Sequence, residues 1–168
     1  MIHLQMLHEW AHAPSGIKKL VYSIWPEPYA AAASVASVED GLYEPTGQVF
    51  LIYENNYSLF REHETLVGIT GYFDIDSQAG HAYLRWTGVI PKARNRRVFR
   101  TTIALLTLQL KGANPSINRL IELVPDNEYG HSTVIPAFER CGFKVDNTIK
   151  VPVGEDADWP VIPYVLNF

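Results

Sequence analysis

The stretch Trp86-Thr87-Gly88-Val89-Ile90-Pro91-Lys92-Ala93-Arg94-Asn95-Arg96-Arg97-Val98-Phe99-Arg100, continuing from Thr101 to Leu110, decides how the rest of the chain is read. It has the pattern of a strand, a short polycationic turn and a helix. Five of the 14 Lys and Arg residues (Lys92, Arg94, Arg96, Arg97, Arg100) fall between positions 92 and 100, although the formal net charge of the chain is −4. Such a concentration asks for an anionic partner. A helix N-terminus adds unpaired backbone N–H groups and the positive end of the helix dipole, which makes the turn a ready phosphate site. Phe99, Ile103, Leu106 and Leu110 then recur on one face, so the helix of about three turns is anchored by an apolar stripe.

Val89-x-Pro91-x-x-Arg94-x-x-Arg97-x-Phe99 resembles the acyl-CoA-binding motif of the GNAT family of N-acetyltransferases, V-x-P-x-x-[QR]-x-x-G-x-[GA]. Downstream, Phe138-Glu139-Arg140-Cys141-Gly142-Phe143 resembles the family's second signature, a Tyr-Glu-Lys-x-Gly-Phe type ending. Two motifs in this order and separation reinforce each other. The resemblance implies an α/β (α+β) fold over a single domain, residues 1–168. Its mixed, mostly antiparallel sheet has about six to seven strands and is flanked by about four helices. It also implies acetyl-CoA as cosubstrate and direct attack of an amine on the thioester in a ternary complex, with no metal.

The site residues follow from the same resemblance. Backbone N–H groups around Thr87, Gly88 and Val89 would serve the thioester carbonyl, with Val89 closest to the family's oxygen-binding position. Arg94, Asn95, Arg96, Arg97, Val98 and Phe99 would form the pyrophosphate turn. Arg97 and Phe99 replace small residues, adding a Cβ and bulk where glycine permits φ > 0 and close backbone approach, so altered CoA binding is expected.

For the base, the fourth-strand position that carries Glu in some relatives is Tyr83 here. Glu122 and His81 are the alternatives. Under regular alternation Glu122 shares a face with Leu120 and Val124, a carboxylate between two apolar neighbours. That is an unusual place for an acid unless it is paired or catalytic. His81 qualifies because imidazole titrates near neutrality. For the acid, Phe138 occupies the family's tyrosine position and has no hydroxyl, which leaves Tyr129, His131, Ser132 or a water.

Composition agrees with a folded domain: 168 residues, 47% hydrophobic and 19% charged, enough to bury a core and too apolar for disorder. The one cysteine, Cys141, cannot form an internal disulfide. With no signal-like N-terminus and no run of about 20 apolar residues, the expectation is a cytoplasmic protein with no membrane partner. The remainder of the chain has nine basic against 18 acidic residues, which argues against nucleic acid and favours a cationic small-molecule or protein amine as acceptor. A homodimer is compatible with the sequence.

Elsewhere, Ile2 to Trp10 reads as a first strand. Helices are expected from Ser15 to about Trp25 and from Tyr29 to about Asp40, with Trp25, Tyr29 and Tyr43 as core aromatics or acceptor contacts. Gln48–Glu54 and Leu66–Ile75 read as strands joined by a solvated polar loop, 55–65. Asp74 and Asp76 suit a turn, and His81–Ile90 a fourth strand. Ile117–Val124 reads as a fifth strand. Thr133 is the expected cap of a helix ending at Gly142, and Phe143–Val153 and Val161–Phe168 form a terminal strand pair. His3, His8 and His12 lack the spacing and co-ligands of a metal site.

Overall fold

A computed structural model describes residues 1–7, 17–25, 47–58, 61–94, 96–149 and 160–168. Seven strands form one sheet in the order β1-β2-β3-β4-β5-β7-β6. They are β1 (Ile2–Leu7), β2 (Gln48–Ser58), β3 (Arg61–Asp76), β4 (His81–Val89), β5 (Arg119–Pro125), β6 (Lys144–Val145) and β7 (Val161–Asn167). All neighbours are antiparallel except β4 and β5. The α-helices are α1 (Ile17–Ile24), α2 (Val98–Ala113) and α3 (Ile135–Glu139). The expected helix over 29–40, with Tyr29 and Tyr43, lies outside the described residues.

Alternation along the strands sorts side chains onto two faces. Phe50, Tyr72, Ala82, Leu84, Leu120, Val124 and Tyr164 face Ile103, Leu106 and Leu110 of α2. Leu7, Val49, Leu51 and Ile69 face Ile17, Leu20 and Ile24 of α1. The predicted stripe on α2 is therefore its buried side. Each of its fully buried leucines contributes about 1.5–3 kcal/mol of transfer free energy.

Two expectations are corrected. The polar segment 55–65 is mostly strand: β2 and β3 continue to pair as Asn55↔Glu64, Asn56↔His63, Tyr57↔Glu62 and Ser58↔Arg61. Asn and Glu have poor strand propensity, but once the apolar parts of β2 and β3 are in register the hydrogen-bond ladder propagates outward. The second correction is the cap before α3. Thr133 lies inside a π-helical turn, Gly130–Val134. The capping oxygen belongs to Asn127, whose Oδ1 accepts the Gly130 N–H at 2.8 Å, as an N-cap side chain does three residues on. Helical geometry thus starts earlier than the Thr-x-x-Pro pattern suggests.

Asp76 behaves as expected of turn chemistry. Its Oδ1 accepts the N–H groups of Gln78 (2.9 Å) and Ala79 (2.8 Å), which hold the carboxyl below its ordinary range.

Candidate acyl-carrier site

The parallel pair β4–β5 is brief. His81↔Arg119, Ala82↔Leu120 and Tyr83↔Ile121 are in register, and no further residues of the two strands pair. Beyond Tyr83 the strands part, leaving one edge of β4 open from Leu84 to Val89. The Ile90 N–H donates to Val67 O on β3 at 2.9 Å, so by alternation the Val89 N–H points the other way, into the gap. A register shift lies between Ile69 and Gly71 opposite this half of β4. The hydroxyls of Thr70 and Thr87 meet there at 2.8 Å.

The gap opens into a cavity of about 630 Å³ whose wall includes Thr87, Gly88, Val89, Arg94, Arg97, Val98 and Phe99. Trp25, Tyr129, Phe138 and Cys141 also line it. Gly88 is required here because a Cβ would collide with Ile24 and Trp25. The end of α1 therefore lies directly against β4.

The turn divides its arginines. Arg94 Nε donates to Val89 O at 3.1 Å and its Nη2 to Ile24 O at 3.1 Å, so this side chain braces the end of β4 to the last residue of α1. A cation at a helix C-terminus is also favoured by the dipole. Arg96 pairs with Glu54 at 3.0 Å and is not part of the cavity wall. Arg97 is the N-cap of α2 in the left-handed region, φ 62° and ψ 5°. The glycine position of the motif has thus kept a glycine-like backbone while carrying an arginine. No side chain caps α2 and its first turn holds no acid, so its N–H groups face the cavity end without an internal anion. Asn95 lies outside the described residues.

The candidate acid and base separate. Tyr129 is on the cavity wall and 52% exposed. His131 binds Asp126 Oδ1 through Nε2 at 2.7 Å, and Ser132 faces the Thr133 hydroxyl. Phe138 is 4% exposed and sits edge-on to Phe99 and Phe143, with ring centroids at 5.2 and 4.9 Å. The bulky Phe99 of the motif is thereby accommodated as the partner of Phe138.

His81 is at the paired end of β4, six residues and about 20 Å along the strand from Thr87. It stacks edge-on to Tyr83. Glu122 lies one residue past the last β4–β5 pair, opposite Tyr164 on β7, at the closed end of the gap and outside the cavity wall proper. Desolvation pushes its carboxyl up to about 8, with the nearby Arg85 guanidinium pulling the other way. By exposed area the residue is half-buried, and the sequence signal, an acid at an apolar strand position, reports this apolar setting.

Trp25, expected as a core aromatic or an acceptor contact, is on the cavity wall. Arg100, Arg140 and Thr133 also line the cavity, and the motifs assign none of them a site role. Arg100 carries a signal, one turn after Arg97 on the same helix; Arg140 and Thr133 carry none. Among the described residues no cluster of His, Cys, Asp or Glu is arranged to hold a metal, and no helix is long and apolar enough to cross a membrane.

No protein-family model matches the chain, and no curated protein matches it in sequence. Solved structures do match in fold. A protein from Desulfovibrio desulfuricans, described as an acetyltransferase of the GNAT family, aligns over 99% of both chains with TM-score 0.71 at 15% identity. A GNAT-family acetyltransferase from Elizabethkingia anophelis with acetyl-CoA bound aligns over 99% of this chain and 98% of its own, with TM-score 0.58 at 13% identity. An aminoglycoside acetyltransferase in complex with coenzyme A aligns over 99% of this chain and 95% of its own, with TM-score 0.66 at 12% identity. The chain has the GNAT fold, a mixed and mostly antiparallel sheet with helices on both faces.

Proposed function

We propose that this protein is an acyl-CoA-dependent N-acyltransferase that moves acetyl from acetyl-CoA to a primary amine by direct attack. The observation that carries this reading is one cavity joining the open edge of β4 at Thr87–Val89 to the uncapped N-terminus of α2. An acyl carrier needs both parts, N–H donors for a thioester carbonyl and a cationic helix end for phosphates.

In the reaction the amine nitrogen bonds to the carbonyl carbon and the carbon–sulfur bond breaks. The Val89 N–H faces the developing oxyanion. Glu122 takes the proton leaving the amine through water in the gap, since it stands about 10 Å along the strands from Thr87. Tyr129, on the cavity wall, gives a proton to the departing thiolate. The acidic balance of the rest of the chain suits a cationic acceptor, whether a small amine or a protein side chain.

The test is thiol release from acetyl-CoA across a panel of amines, with Tyr129→Phe and Glu122→Gln in parallel. Release that falls by about 10²–10⁴-fold in either variant supports the assigned roles. The buried Phe138, a ring without a hydroxyl, favours a second reading, an acyl-CoA-binding module that transfers nothing. Saturable acetyl-CoA binding with no thiol release for any amine would select it.

A further inference from the structure

Arg97 holds φ 62° and ψ 5° at the entry to α2. A side chain makes this left-handed backbone unfavourable, and such a conformer persists where its surroundings over-determine it. The first half of the turn has its own restraints. The Ile90 N–H donates to Val67 O, Ala93 packs with Ile52 and Val67, and Arg94 reaches Val89 and Ile24. The second half is tied to β2, because Arg96 Nη2 lies 3.0 Å from Glu54 Oε2. Glu54 is a stiff anchor. It pairs with Ile2 of β1 on one side and Thr65 of β3 on the other, and its side chain is 14% exposed. By alternation it shares a face of β2 with Ile52, which clusters with Ala93 and Val98. The Arg97 carbonyl in turn accepts the Thr101 N–H at 2.9 Å, so a rotation at Arg97 would swing the first turn of α2.

We propose that Glu54 is a positioning residue for the acyl-carrier site: through Arg96 it holds Arg97 in the left-handed conformation that a glycine would adopt unaided, and so keeps the N–H groups of α2 aimed at the cavity. The proposal rests on the acyl-CoA reading above. It explains how the motif carries an arginine at its glycine position, with an ion pair from a distant strand supplying what the missing glycine gave. Electrostatics alone predicts the opposite effect. A carboxylate near a phosphate site repels the ligand, so its removal would tighten binding. Loss of a clamp weakens binding, because the ligand must then order the turn itself.

Calorimetric titration of CoA into the wild type, Glu54→Gln, Arg97→Gly and the combined variant tests this. Glu54→Gln should weaken CoA by about 3- to 10-fold, and the charge-exchanged pair Glu54→Arg, Arg96→Glu should recover most of that loss. In the Arg97→Gly background the left-handed backbone is free of strain, so Glu54→Gln should change the affinity by about twofold at most. An affinity that Glu54→Gln leaves unchanged or raises, or an equal loss in both backgrounds, overturns the positioning role. Hydrogen exchange without ligand reads the clamp directly: the Thr101 amide should exchange about 3- to 10-fold faster in Glu54→Gln. Faster exchange with unaltered CoA affinity would make the ion pair purely structural and overturn its role in binding. If CoA fails to bind the wild type, the acyl-CoA reading falls and the positioning role with it, whereas CoA binding that Glu54→Gln does not weaken removes the positioning role alone.

Discussion

The two halves of β4 differ in what holds them. From His81 to Tyr83 the strand is hydrogen-bonded on both edges, to β3 and β5. From Leu84 to Val89 only β3 holds it, and stability comes from α1 lying against Gly88 and from Arg94 clasping Val89 O and Ile24 O. The closed half is structural sheet. The open half exposes backbone donors that a central strand normally gives to its neighbour, and braces from outside the sheet make that exposure tolerable.

The largest effect is expected at the junction of the halves. Glu122→Gln should lower turnover by about 10²–10⁴-fold if this carboxyl is the base, and the rise of kcat/KM through pH about 8 should disappear with it. The same group predicts a stability signature with a definite sign. Its folded value, about 8, lies above its ordinary value of 4.5, so below pH 4.5 both states hold the proton and nothing is lost. As pH rises from 4.5 to 8 the unfolded chain releases the proton first and stability falls, then levels off. Glu122→Gln should therefore unfold at higher urea than wild type above pH 8, by up to a few kcal/mol, and should converge with it near pH 4. An unchanged pH–rate profile in the variant would reduce Glu122 to a half-buried structural residue.

Gly88→Ala comes next, because the added methyl collides with Ile24 and Trp25. Overpacking of this kind costs about 1–3 kcal/mol, and acetyl-CoA affinity should fall as α1 is pushed off the open half. Thermal melting and titration on the same sample check both.

Arg94→Ala and Arg97→Gly then separate bracing from ligand binding. Arg94→Ala removes two hydrogen bonds from a charged donor and should destabilise by about 1–3 kcal/mol. Arg97→Gly relieves a left-handed backbone and should be neutral or stabilising by about 1 kcal/mol, while weakening CoA through the lost charge. If Arg97→Gly lowers the melting temperature more than Arg94→Ala does, the division of roles is reversed.

Much of the fold is legible from residues 86–110. A strand, a turn and a helix with its buried stripe follow from local periodicity, and the two motifs carry the architecture. The pairing of 55–58 with 61–64 is hidden in the sequence because its residues are poor strand formers whose pairing is inherited from better neighbours. Thr133 imitates a cap because a Thr before a Pro carries the same local signal whether or not a helix has already begun at Asn127.

What the sequence determined by itself is whatever depends on neighbours within a turn or two: the clustering of cations at 92–100, the amphipathic face of α2, the isolation of Glu122 between apolar residues. Tertiary structure decided which of those cations find a partner within the chain. Arg94 finds Ile24, 70 residues earlier in the chain, and Arg96 finds Glu54 on β2. Arg100 lines the cavity with Arg140 from another helix. Four arginines with the same chemistry end in three different settings, because a charge's partner is fixed by distance in space, which a linear pattern does not encode.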